Sequence, residues 1–192
     1  MKRVILASGS PRRKALLESA GVEFDIIVSD VDEDIEVAEP AMLVKELALL
    51  KAAAVAKTQK QHALVIGADT VVSVGGKILG KPNDGADAKR MLNMLSGRAH
   101  QVYTGVCVVD SKSGVSVSMH QTTNVVFKPL TRKQIRDYVA TKEPLDKAGA
   151  YGIQGLGGRL VKYIIGDYNN IVGMPVELLL YMLDKEFDFK VK

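Results

Sequence analysis

The stretch that most restricts how this chain can fold is its beginning, Val4-Ile5-Leu6-Ala7-Ser8-Gly9-Ser10-Pro11-Arg12-Arg13-Lys14. Val4-Ile5-Leu6 is a short apolar, β-branched run, and Ser8-Gly9-Ser10-Pro11 breaks it. Ser10 suits a helix N-cap and Pro11 the first helical position. Leu16, Leu17 and Ala20 then recur at helical spacing, so the segment reads as strand, tight loop and helix N-terminus. Arg12, Arg13 and Lys14 crowd the first turn of that helix. A helix N-terminus carries partial positive charge and unpaired N–H groups, and so favours Asp or Glu instead. Either the cations gather round an anion, as in a phosphate site of backbone N–H groups, hydroxyls and guanidinium forks, or they splay into water. Local grammar leaves both readings open.

Farther along, Phe24 to Val28 reads as a strand and runs into an acidic stretch, Asp30-Val31-Asp32-Glu33-Asp34-Ile35-Glu36. Pro40 opens a helix through about Lys57 with Leu43, Leu47, Leu50, Ala54 and Val55 as its apolar stripe. Ala63 to Ile66 is a continuous apolar run of buried-strand type, ending in Gly67-Ala68-Asp69-Thr70. Val71 to Val74, Gly75-Gly76 and Ile78-Leu79 suggest a hairpin. A loop from Gly80 to Asp84 leads to a helix from about Gly85 to Leu95. Strands follow at Gln101 to Val109 and Val115 to Phe127, then a helix capped by Thr131 and ending near Thr141. A dense loop, Lys142 to Gly158, precedes a strand at Leu160 to Ile165 and a last helix at Val176 to Leu183. Helices and strands alternate early and strands pair late, which makes the class α/β with a mixed sheet. A chain of 192 residues suits one domain, or two lobes sharing a core.

Several residues could carry chemistry. Asp69 ends the buried strand, where α/β proteins present functional carboxylates; its plain alternative is a turn cap. Lys51 lies between Leu47 and Ala48 on one side and Ala54 and Val55 on the other, and spacing alone reads it as a snorkelling stem. Its ammonium could equally sit beside a phosphate or a carboxylate. Lys81, between Gly80 and Pro82, is on a stiffened loop. The acidic stretch offers carboxylates for a divalent cation. It is no EF-hand, because Ile35 replaces the turn glycine and Ala41 the bidentate Glu. Glycines 149, 152, 155, 157 and 158 surround Gln154, whose amide suits the edge of a base, with Ile153 and Leu156 expected to pin the loop to a core. Phosphate-loop, dinucleotide-loop and HExxH patterns are absent from the sequence.

Composition narrows the partners. The net charge of +4 favours an acidic ligand weakly, and aromatics make up 5% of residues with no Trp, too few for interleaved base stacking. Cys107 is the single cysteine, in an apolar run, so no intrachain disulfide forms and a small buried hydrophobe is expected. No apolar segment reaches membrane-spanning length, and no secretory core follows Lys2 and Arg3, which points to the cytoplasm and to no membrane partner.

Taken together, Leu6-Ala7-Ser8-Gly9-Ser10-Pro11-Arg12-Arg13, Ile66-Gly67-Ala68-Asp69-Thr70, Gly80-Lys81-Pro82, Met94-Leu95-Ser96-Gly97-Arg98 and Asp146 through Gly155 resemble the Maf family, septum-formation-inhibitor-like nucleotide pyrophosphatases. The resemblance spans Leu6 to about Pro175 and implies a twisted mixed sheet flanked by helices, with two lobes around a deep cleft, similar to inosine triphosphate pyrophosphatases. It implies hydrolysis of nucleoside triphosphates to a monophosphate and pyrophosphate with a divalent metal, Mg or Mn. Asp69 matches the catalytic carboxylate that accepts a proton from water and meets the metal. Glu33 matches an acidic residue near the metal, with Asp30, Asp32 and Asp34 close enough in sequence to replace it. Ser8, Arg13, Lys51 and Lys81 match phosphate-side positions. Arg12, Thr70 and Gln154 match the positions of the subgroup acting on dTTP and UTP, and a homodimer is compatible with the resemblance. The competing reading is a regulatory protein of septum formation that binds nucleic acid or a partner. Carboxylates inside a cationic site count against it, since they repel phosphate unless a metal lies between.

Overall fold

The computed structural model describes residues 2–191. The chain opens with strand β1 (Arg3–Leu6), helix α1 (Pro11–Ser19) and a two-residue strand β2 (Asp25–Ile26). Ser10 caps α1 through its hydroxyl, which accepts from the Arg13 N–H, and Pro11 takes the first position. Helix α2 (Pro40–Lys57) is capped by Glu39, whose carboxylate accepts from the N–H groups of Ala41 and Met42. Strands β3 (Ala63–Val74) and β4 (Lys77–Leu79), helix α3 (Gly85–Leu95) and strands β5 (Ala99–Asp110) and β6 (Ser116–Phe127) follow. Helix α4 (Arg132–Ala140), three 3₁₀ turns, strand β7 (Val161–Ile165) and helices α5 (Tyr168–Val172) and α6 (Val176–Phe187) complete the chain.

One seven-stranded sheet has the order β2-β1-β3-β5-β6-β7, with β4 paired to β3. β1 runs parallel to β2 and to β3, whereas β4 pairs antiparallel with β3 and β7 with β6, so the sheet is mixed as the pattern required. The β3–β4 hairpin turns on Gly75 (φ 55°) and Gly76 (φ 76°), two consecutive left-handed residues as a two-residue turn of this hand needs.

The chain divides into two compact units. The first comprises residues up to Asp69, Thr104–Gln121 and everything from Gly173 on. Its strands are covered on both faces. Leu6, Ile66, Val106 and Val108 pack with Leu17 of α1 and with Leu179, Met182 and Leu183 of α6. Ile5, Val65, Cys107 and Val109 pack instead with Ala48, Ala52 and Val55 of α2. Double coverage explains the unbroken apolar runs in β1 and β3. The second unit, Thr70–Tyr103 and Thr122–Val172, centres on Leu92, Leu95, Phe127, Tyr151 and their neighbours.

Four expectations are corrected. β3 does not stop at Ile66: hydrogen bonding carries it through Gly67, Ala68, Asp69 and Thr70 to Val74, so Asp69 lies within a strand rather than after one. The strand expected over Phe24 to Val28 shrinks to Asp25–Ile26, and the last helix extends beyond Leu183 to Phe187. The loop from Lys142 to Gly158 folds into 3₁₀ turns, and α5 was not foreseen because five residues carry too little periodicity to read. Cys107 is fully buried as expected, with burial pushing its thiol up to about 11.

Within the second unit, His100 is 2% exposed, its Nε2 2.9 Å from the Tyr151 hydroxyl and its ring edge-on to Phe127 and Tyr151. Burial lowers its pKa from 6.5 to about 4. The unfolded chain therefore takes up a proton that the folded imidazole refuses, and this contribution to stability is complete above about pH 6.5 and lost on descent to about pH 4. The expected loss is on the order of 3 kcal/mol. Urea unfolding of His100→Gln, which cannot titrate, should show a flatter profile than the parent across that window.

Candidate active site

The site grows from the carboxyl end of β1. Ala7 continues the strand by donating its N–H to the Ile66 carbonyl at 2.8 Å, and the chain then turns at Ser8. The Ser8 hydroxyl is 8% exposed and accepts from the Ser10 N–H at 3.3 Å and from Arg13 Nη1 at 3.2 Å. Arg13 also donates from Nε to the Gly173 carbonyl at 2.9 Å, so its guanidinium is fixed from two sides. Burial pulls its pKa below the ordinary value, with Arg12 adding to the fall, while the attraction of Asp69 and Glu33 acts the other way. The crowding of cations at the start of α1 is thereby set against two carboxylates of the same unit.

Those carboxylates meet at Lys51. Its Nζ is 2.6 Å from Asp69 Oδ1 and 2.8 Å from Glu33 Oε2, and the lysine is 8% exposed. The snorkelling reading of Lys51 is corrected: the stem does run along an apolar helix face, but its head stays inside between two acids. A lysine buried this deeply needs such partners, because an unpaired buried ammonium is costly. Of the acidic stretch, Glu33 is the residue that reaches Lys51, whereas Asp32 turns back to accept the Asp34 N–H at 3.0 Å.

Helix α2 can deliver Lys51 to Asp69 because it lies almost against the sheet. A Cβ on Gly67, two residues before Asp69, would stand 2.1 Å from the Ala48 carbonyl oxygen and 2.9 Å from the Ala52 nitrogen. A Cβ on Gly105 would stand 2.2 Å from the Val44 carbonyl oxygen. Only glycine at both places allows backbone to touch backbone. Neither position was singled out in the sequence, although glycine inside an apolar strand run is the signal that finds them.

Ser8, Arg12, Arg13, Glu33, Lys51 and Asp69 thus belong to the first unit. Thr70, Lys81 and Gln154 belong to the second: Thr70 is half-buried in β3, Lys81 exposed on the loop after β4, and Gln154 exposed among the glycines. Leu156 is 39% exposed, so it does not pin that loop to a core as expected. Hydrogen bonds to Glu143, a residue the sequence reading passed over, hold it instead.

A Maf-like protein family model matches residues 3–186. The dTTP/UTP pyrophosphatase of Bacillus cytotoxicus is 52% identical over 98% of this chain and 97% of its own length. The chain belongs to the Maf family. A dTTP/UTP pyrophosphatase of Bacillus cereus is 51% identical over all of this chain and 98% of its own. Among solved structures, a HAM1 protein from Coxiella burnetii aligns at TM-score 0.49 with 17% identity, over 84% of this chain and 81% of that one.

Because this Maf chain sets α2 against the sheet at Gly67, Gly67→Ala must push the helix outward and draw Lys51 from Asp69. The expected cost is about 2–3 kcal/mol in urea unfolding. Gly80→Ala, whose Cβ meets nothing within 4 Å, should leave stability unchanged within about 0.5 kcal/mol.

Proposed function

We propose that this chain hydrolyses dTTP and UTP, and modified pyrimidine triphosphates of the same shape, to the monophosphate and pyrophosphate. The carrying observation is the Lys51 bridge between Asp69 and Glu33 beside the fixed Arg13, in a chain half identical to curated dTTP/UTP pyrophosphatases. Water attacks the α-phosphorus, the bond to the β-phosphoryl oxygen breaks, and pyrophosphate leaves. In this reading Asp69 takes the proton of the attacking water. Arg12, Arg13 and Lys81 hold the phosphates and offset the charge that grows on the leaving group. Ser8 keeps Arg13 aimed.

The residues fit a divalent cation. Among the described residues no cluster of three His, Cys, Asp or Glu side chains is placed to hold an ion. Glu33 and Asp69, both within reach of one ammonium, match instead the way magnesium is held by one or two carboxylates with substrate phosphates completing its shell. When bound there, Mg or Mn would polarise the α-phosphate and lower the pKa of water. Lys51 holds the two carboxylates together, and in this reading its ammonium passes to a phosphate oxygen when substrate and metal bind.

Selectivity is assigned to Arg12, Thr70 and Gln154. The O4/N3–H edge of uracil or thymine alternates acceptor and donor, and the amide of Gln154 can match both. Cytosine reverses that order, so a Gln154 amide held in one orientation pairs with uracil or thymine and is mispaired with cytosine.

The test is product analysis on dTTP, UTP, CTP, GTP and 7-methyl-GTP with magnesium or manganese. Pyrophosphate should appear from dTTP and UTP and fall by a factor of about a thousand or more in Asp69→Asn. Orthophosphate as the sole product, or full activity in that variant, would defeat the assignment.

A further inference from the structure

The loop that carries Gln154 has little apolar anchorage: Gln154 and Gly155 are exposed and Leu156 is 39% exposed. It is nevertheless held on both sides of Gln154 by one carboxylate and one phenol of the same unit. Glu143 Oε2 accepts from the Leu156 N–H at 3.1 Å, and Oε1 from the Gly157 N–H at 2.9 Å. Oε1 also accepts from the Tyr138 hydroxyl at 3.0 Å, and that hydroxyl accepts from the Gly152 N–H at 3.2 Å. Lys147 closes the base by donating to the Glu143 carbonyl at 2.7 Å.

The fit leaves no slack. Gly155 is left-handed at φ 85°, and a Cβ there would lie 3.1 Å from Glu143 Oε2. A Cβ on Gly157 would stand 2.4 Å from the Gly152 carbonyl oxygen and 2.5 Å from the Tyr138 hydroxyl. Burial pushes the Glu143 carboxyl upward, but the Gly157 and Leu156 donors, Tyr138 and Lys147 together hold it below the ordinary glutamate value. The group is therefore ionised at neutral pH, and bonds to a charged acceptor are the stronger kind.

We propose that Glu143 is a positioning residue for base selection: by anchoring residues 156 and 157 directly, and 152 through Tyr138, it holds in place the backbone from which Gln154 presents its amide to the pyrimidine edge. The proposal rests on the reading of Gln154 given above. A loop already ordered spares the substrate the entropy of ordering it, so a loosened loop should bind pyrimidines more weakly and distinguish them less. The acid has a reason to be an acid. It accepts at both oxygens, whereas a glutamine would point its NH₂ at one of the two backbone donors.

The experiment measures kcat and KM for UTP and CTP in the parent, Glu143→Gln, Tyr138→Phe and Gln154→Ala. In Glu143→Gln the KM for UTP should rise about tenfold with kcat within about twofold, and the preference for UTP over CTP should fall about tenfold, equivalent to about 1.4 kcal/mol. Tyr138→Phe should move the same two quantities in the same direction by less, and it decides the matter if Glu143→Gln does not fold. A merely structural Glu143 would lower activity on both nucleotides alike, and that result overturns the proposal. Gln154→Ala separates the two levels. If it abolishes the preference while Glu143→Gln and Tyr138→Phe keep it, positioning alone is refuted; if it keeps the preference, base reading by Gln154 falls and positioning falls with it.

Discussion

The distance between helix α2 and the sheet governs the first unit. Two glycines, Gly67 on β3 and Gly105 on β5, let the backbone of Val44, Ala48 and Ala52 come down onto the strands. Small residues on the facing side of the helix continue that contact, with Ala48 and Ala52 fully buried. From a helix held at an ordinary separation, a lysine would have to stretch toward the sheet. From this one, Lys51 reaches Asp69 at 2.6 Å and Glu33 at 2.8 Å. Packing geometry thus comes first and electrostatics is built on it.

The charges form a balanced group rather than a patch. Arg12 and Arg13 enter from the start of α1, Glu33 from the acidic loop, Lys51 from α2 and Asp69 from β3. Arg13 feels Asp69 and Glu33 as attractions and Arg12 as a repulsion. Asp69 and Glu33 both reach the same ammonium, and Lys51 offsets the repulsion between the two acids by pairing with each. Cations at a helix N-terminus, unfavourable on their own, are tolerated because carboxylates share their surroundings.

The sequence made the general plan legible for a physical reason: apolar periodicity, caps and turn chemistry are local. The Ser10 cap, the Gly75-Gly76 turn and the Thr131 cap with its Gln134 partner all stand in the structure as local rules require. Asp69 was picked out by type and position, and Glu33, one acid of an acidic run, by the family resemblance. What stayed hidden depends on distant partners. The ammonium of Lys51 looked destined for solvent because nothing near it in sequence tells that Asp69 and Glu33 lie across the sheet and loop from it. Glu143 went unnoticed, since its partners are backbone N–H groups, which the sequence writes as Leu156 and Gly157 without distinction. Extended hydrogen bonding carried β3 through Gly67 to Thr70, where composition alone suggested a break.

The single thiol records how firmly this layer holds. Cys107 is on β5 beneath α2, two residues after Gly105 and so on the same face of the strand. Burial pushes the thiol up to about 11, so it stays protonated at neutral pH, and it exposes no surface to solvent. Alkylating or oxidising reagents can therefore reach it only when the structure that covers it opens. Modification of the Cys107 thiol can advance no faster than the structure over it opens.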